Sequence, residues 1–144
     1  MDTNLDKRYQ TLIVLWFAIL MSVLMYFVLT LLSTPAASKP RNSSLFVFGL
    51  TALGTLLVIV SFLVKAKLLE RSVEKQDVIL VQKALLFACA ICEVTALLGV
   101  IEFFLIGTRE YYLLLLGGAA GIALHFPRRS QLEAASYKNP GQFR

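Results

Sequence analysis

Between Ala84 and Ile106 the chain reads "ALLFACAICEVTALLGVIEFFLI", 23 residues with only two charged side chains. A helix of about 20 apolar residues crosses the roughly 30 Å hydrocarbon layer of a bilayer. Three further runs are built the same way: Leu12–Leu32 with 21 residues, Leu45–Val64 with 20 and Tyr111–Phe126 with 16. The last spans about 24 Å as a helix, so it needs local thinning of the bilayer or help from its flanks. The chain is 58% hydrophobic and 16% charged, where soluble domains carry about 25% charged residues. Alternation of apolar and polar residues, which membrane strands require, is absent from the runs. Hydrocarbon offers backbone groups no other partner, so helices are the expected form. The expected fold is an all-α membrane protein with four transmembrane helices arranged as two antiparallel hairpins.

The breakers agree with this division. Pro35, Pro40, Pro127 and Pro140 all lie outside the runs, and no Gly or Pro occurs between Thr55 and Leu98. The second helix is therefore expected to continue past the membrane through "KAKLLERSVEK" before the chain turns back. Gly107 is a terminator for the third helix, and Thr108 a cap for the fourth. The short turn "GTRE" makes these two helices antiparallel neighbours. The chain divides into an N-terminal segment 1–11, a membrane domain 12–126 and a basic tail 127–144. Within the tail, "SQLE" (Ser130–Glu133) matches a capping box. It predicts either a short surface helix carrying Leu132, Ala135 and Tyr137, or a tail without structure.

Charge sets the expected orientation. Lys7 and Arg8 precede the first run, while Lys65, Lys67, Arg71, Lys75 and Lys83 lie between the second and third. Arg128, Arg129, Lys138 and Arg144 follow the fourth; only Lys39, Arg41 and Arg109 fall on the other side. Cytoplasmic loops carry the excess of Lys and Arg, so both termini are expected in the cytoplasm, in an inner (plasma) membrane of bacterial type. The net charge of +5 then reports topology and attraction to anionic lipid heads, not nucleic-acid binding. The first run is too long for a signal peptide, and "MDTNLDKR" is too acidic for its leading region.

The two halves also compare. Setting "YQTLIVLWFAI" on "VQKALLFACAI" places Gln10 on Gln82, Ala18 on Ala90 and Ile19 on Ile91, and "LFVFGLTALG" on "LLLLGGAAGI" places Gly49 on Gly117. Such matches are compatible with a duplicated hairpin whose copies share one orientation.

The glutamates of the third run differ in depth. Glu93 lies nine residues from Ala84, about 13 Å along the axis and close to the midplane. A charge there costs about 2.5–3.5 kcal/mol on insertion scales, so the group is expected to be protonated, to bind a cation or to face a protein-lined site. Ser22 and Thr55 share its depth and are the candidate hydrogen-bond partners in an ion-binding set with Glu93. Glu102 lies near the outer edge, where it can reach water, with Arg109 seven residues on; this pair is expected at the interface or against a partner subunit. Nine residues separate the glutamates, half a turn out of phase, so one shared site is not expected.

Small residues mark candidate packing faces: Ala90, Ala96 and Gly99 on the third helix, and Gly117 and Gly121 at GxxxG spacing on the fourth. Cys89 and Cys92 form a C-x-x-C inside the membrane run, where the exposed, electropositive setting of a redox pair is missing. They are expected to pack as small apolar residues, and no further ligands suggest a metal. His125, at the end of the fourth run beside "PRR", is expected at the membrane interface.

The stretch "AICEVTALLGVIEFFL" resembles the proteolipid (c or K) subunits of rotary ATPases. Ala90, Glu93, Ala96, Leu97, Gly99 and Val100 match that family's pattern of small residues, a mid-membrane carboxylate, Ala-Leu and Gly-Val. The resemblance covers about 60 residues of the second and third runs. It implies a helical hairpin with a cytoplasmic loop, and a Glu93 that carries H⁺ or Na⁺. Two further spans flank the matching hairpin, and the family's Arg-Gln-Pro loop is replaced by "KLLERSVEKQD".

The sequence holds no nucleophile paired with a base, no metal-ligand cluster and no phosphate loop, so an enzyme is not expected and no cofactor is implied. Two readings stand. One is a structural or assembly subunit of a larger membrane complex, whose partners are the lipid bilayer and other membrane subunits or further copies of the chain. The other is a proteolipid-like ion carrier acting through Glu93.

Overall fold

A computed structural model describes residues 3–34, 43–107 and 109–136. Five helices follow in order: α1 Thr3–Leu32, α2 Ser43–Lys75, α3 Val78–Leu105, α4 Tyr111–Leu124 and α5 Arg129–Ser136. No strand occurs among the described residues. α1, α2 and α3 are each long and apolar enough to cross a membrane; α4 is apolar but has only 14 residues.

Local chemistry accounts for the helix ends. Past Gly54, α2 meets no further Gly or Pro and runs to Lys75, 33 residues in all, about 50 Å at 1.5 Å per residue. Gln76 then takes a left-handed φ of 48°. The Asp77 carboxylate accepts the Ile79 backbone N–H at 2.9 Å and starts α3. Gly107, at φ 66°, turns the chain after α3, its N–H donating to the Glu102 carbonyl at 3.2 Å; glycine adopts this conformation without a Cβ clash. The cap expected at Thr108 lies outside the described residues, as do Tyr137 and the prolines at 35, 40 and 140.

α3 is the centre of the bundle. It packs against all four other helices, whereas α1 and α2 make no contact with each other among the described residues. Buried residues make up 44% of the apolar window of α3 but 11% in α1 and in α2. Ala84, Ala88, Cys89, Cys92 and Ala96 are all fully buried, and such short side chains let helix backbones approach from several sides. The expected pair of hairpins is thus corrected: α3 and α4 form one, but α1 and α2 lie on different sides of it.

The start of α1 and the whole of α5 lie at one end, joined by an ion pair from Arg129 to Asp6 at 3.0 Å. α5 is no loose surface helix, because Leu132 and Ala135 are buried against the bundle. The outer faces are greasy: Phe17, Leu31, Leu32, Leu45, Phe48 and Leu63 are all more than half exposed. A continuous apolar surface of this kind is stable only when covered, and lipid covers it in a membrane protein.

Candidate functional site at Glu93

Glu93 projects from the middle of α3 toward α1. Ser22 Oγ lies 2.6 Å from Glu93 Oε1, and the Tyr26 hydroxyl donates to the same oxygen at 3.0 Å. Ser22 and Tyr26 are four residues apart, so they share one face of α1. Ser22 Oγ is also 2.7 Å from the carbonyl oxygen of Ile19. The hydroxyl has a single proton for these two acceptors.

Thr55 is not part of this cluster. It is exposed on α2 and donates to the Thr51 carbonyl at 2.9 Å. Equal depth was insufficient because α2 packs on a different face of α3. That face presents Thr95, whose hydroxyl reaches the Gly54 carbonyl at 3.3 Å.

Glu102 departs from its expected interfacial place. It is fully buried inside the chain, while Arg109 is exposed. Closeness to the end of α3 did not give Glu102 access to water, because α4 folds back over that end: Phe103 stacks edge-to-face on Tyr111 at 4.9 Å.

The packing face is also rotated from the expected one. A Cβ on Gly117 would meet nothing within 4 Å, whereas on Gly118 it would lie 2.7 Å from the Cys92 carbonyl oxygen. On Gly121 it would lie 2.7 Å from Cys92 Sγ, and on Gly99 2.7 Å from the Tyr111 carbonyl oxygen. Ala96 is buried beneath Gly118, but Ala90 faces outward. The α3–α4 contact therefore uses Gly118 and Gly121, with Gly117 left open.

A second polar cluster joins α2, α3 and the end of α4. His125, at the end of α4, is fully buried within the protein, with Nε2 2.8 Å from Ser61 Oγ. Cys92 Sγ donates weakly to Ser61 Oγ at 3.3 Å. The His125 ring packs on Phe62 with centroids 4.4 Å apart, and Lys65 Nζ donates to the His125 carbonyl at 3.1 Å. His125 Nδ1 has no hydrogen-bond partner among the described residues. Cys89 and Cys92 are free and buried.

Sequence reasoning missed Ser61 and the bond of Tyr26 to Glu93. The available signal for Tyr26 was its four-residue offset from Ser22. Trp16 ties α1 to α4: its indole N–H donates to the Ile122 carbonyl at 2.7 Å, and its ring meets Phe126 edge-on at 5.1 Å.

No family model, no curated protein and no solved structure matches this chain.

Proposed function

We propose that this chain is a non-enzymatic, multi-pass membrane protein that reversibly binds a cation, foremost a proton, at Glu93. The observation that carries this reading is the double setting of Ser22 between Glu93 Oε1 and the Ile19 carbonyl, at 2.6 and 2.7 Å. With Glu93 ionised, Ser22 and Tyr26 both donate to the carboxylate. With Glu93 protonated, its O–H donates to Ser22 Oγ, and Ser22 turns its own proton to Ile19. Tyr26 keeps its bond in both states. A serine hydroxyl carries one donor and two acceptor positions, and a protonated carboxyl gains a donor while keeping acceptors. Both protonation states are thus satisfied without moving a heavy atom, which a purely structural tie does not require. The proteolipid-like pattern around Glu93 supports the same chemistry. In this reading α4 is a fourth span, shortened, with both termini on the cytoplasmic side.

The test is labelling with a hydrophobic carbodiimide, which modifies protonated carboxyl groups within membranes. Modification of Glu93 is expected to slow as pH rises and to vanish in Glu93→Gln. Slowing by Na⁺ at fixed pH would make the cation Na⁺. A Glu93 that is inert at every pH would sink the reading.

A second reading, a structural or assembly subunit, is favoured by the open sides of Gly49 and Gly117, where an added Cβ meets nothing within 4 Å. Exposed glycines leave room for a neighbouring helix. Native mass spectrometry should then find partner chains that are lost from Gly117→Leu; a chain that stays alone in both forms argues against it.

A further inference from the structure

The inward seam of α1 changes character at the depth of Glu93. Its residues recur at alternating spacings of four and three: Leu12, Trp16, Ile19, Val23, Tyr26 and Thr30. Leu12, Val23 and Thr30 are buried, and Trp16, Ile19 and Tyr26 pack against the core. From Ile19 back to Leu12, toward α5, the seam is apolar. Trp16 is held there by its bond to the Ile122 carbonyl and by the edge contact with Phe126. Away from α5 it carries hydroxyls. Tyr26 touches Glu93, and Thr30, one turn further on, is only 3% exposed.

Thr30 lies four residues past Tyr26 and so shares its face of α1, one turn beyond the Tyr26–Glu93 contact; α5 lies near Asp6, 24 residues or roughly 36 Å away along the axis. The Thr30 hydroxyl donates to the Phe27 carbonyl at 2.8 Å, which leaves its oxygen lone pairs as acceptors. Protons pass between oxygen atoms that can both give and take a hydrogen bond; packed indole and phenyl rings offer no such steps.

Resting on the cation-exchange reading of Glu93, we infer that its proton is exchanged with the end of the bundle remote from α5, by way of Tyr26 and Thr30, while Trp16 and Phe126 seal the α5 end. The titratable groups facing Glu93 are Tyr26 from α1 and Cys89 one turn back on α3 itself; α4 offers none between Leu113 and Leu124, and α2 lies on another face. On α2, Lys65 stands at the α5 end, its Nζ bonded to the His125 carbonyl at 3.1 Å, and a cation there opposes proton entry from that side.

Proteoliposomes with separately buffered inner and outer compartments test this, their orientation read from protease access to a C-terminal tag. A hydrophobic carbodiimide reaches Glu93 through the lipid, so only the source of the proton is sided. The modification rate should follow pH in the compartment remote from α5 and change less than twofold with pH on the α5 side. Thr30→Val, nearly isosteric, should slow the response to a pH jump by about tenfold, and Trp16→Ala should make the rate respond to both compartments. A rate in the unaltered chain that follows the α5-side pH, or both equally, overturns the inference while leaving the cation site intact. Absence of modification at any pH overturns both together.

Discussion

Gly118 meets the backbone of Cys92 so closely that a methyl group on it would stand 2.7 Å from the carbonyl oxygen and 2.9 Å from the Ala96 side chain. One residue earlier, Gly117 faces open space. Gly118→Ala is expected to destabilise the fold by about 1–3 kcal/mol, the usual cost of overpacking, and Gly117→Ala by less than about 0.5 kcal/mol. Unfolding titrations in detergent would compare them. Equal losses would mean that the α3–α4 rotation described above is wrong.

The Ser22–Glu93 contact should be measurable as a coupling. Hydrogen bonds between membrane helices contribute about 0.6 kcal/mol on average and up to about 1.7. A double-mutant cycle with Ser22→Ala and Glu93→Gln is expected near the upper part of that range, since the contact is 2.6 Å long. The matching cycle with Thr55→Val should give a coupling near zero, because Thr55 bonds within α2.

Trp16 is the sole tryptophan, so its fluorescence reports the α1–α4 contact directly. Trp16→Phe keeps an aromatic ring against Phe126 but leaves the Ile122 carbonyl without its donor. The expected loss is about 0.5–1.5 kcal/mol. Emission of the unaltered chain should be quenched poorly by aqueous iodide; strong quenching would place the indole in water.

Two changes at the α5 end should differ in size. Asp6 and Arg129 are 39% and 47% exposed, so Asp6→Asn is expected to cost no more than about 1 kcal/mol, and less in high salt. Leu132 is 2% exposed, and Leu132→Ala should cost about 2–5 kcal/mol as a truncated core residue. Limited proteolysis near Arg128 and Arg129 would read α5 release. Release by Asp6→Asn alone would show that charge, not burial, holds α5.

Much of the fold was legible because the helix boundaries are local events. Apolar runs and Gly107 as a left-handed stop need only a few neighbouring residues to act. The unbroken extension of α2 to Lys75 follows from the absence of Gly and Pro. The site was half legible. Depth along a helix is proportional to residue count, so Ser22 and Glu93 could be matched at the same level. Thr55 has the same depth but the wrong side of α3.

What the sequence by itself determined is the one-dimensional part: which segments are helical, where they stop, how far along its helix each polar group lies, and that the outer surface suits lipid. What only the tertiary structure decided is rotation and adjacency. One residue turns a helix face by about 100°, which separates Gly117 from Gly118 and an open surface from a backbone contact. Apolar runs so uniform carry little record of which face turns inward. The insertion of α3 between α1 and α2, the meeting of Tyr26 with Glu93, and the burial of Glu102 and His125 all arise from packing among residues far apart in the chain, which no local pattern encodes.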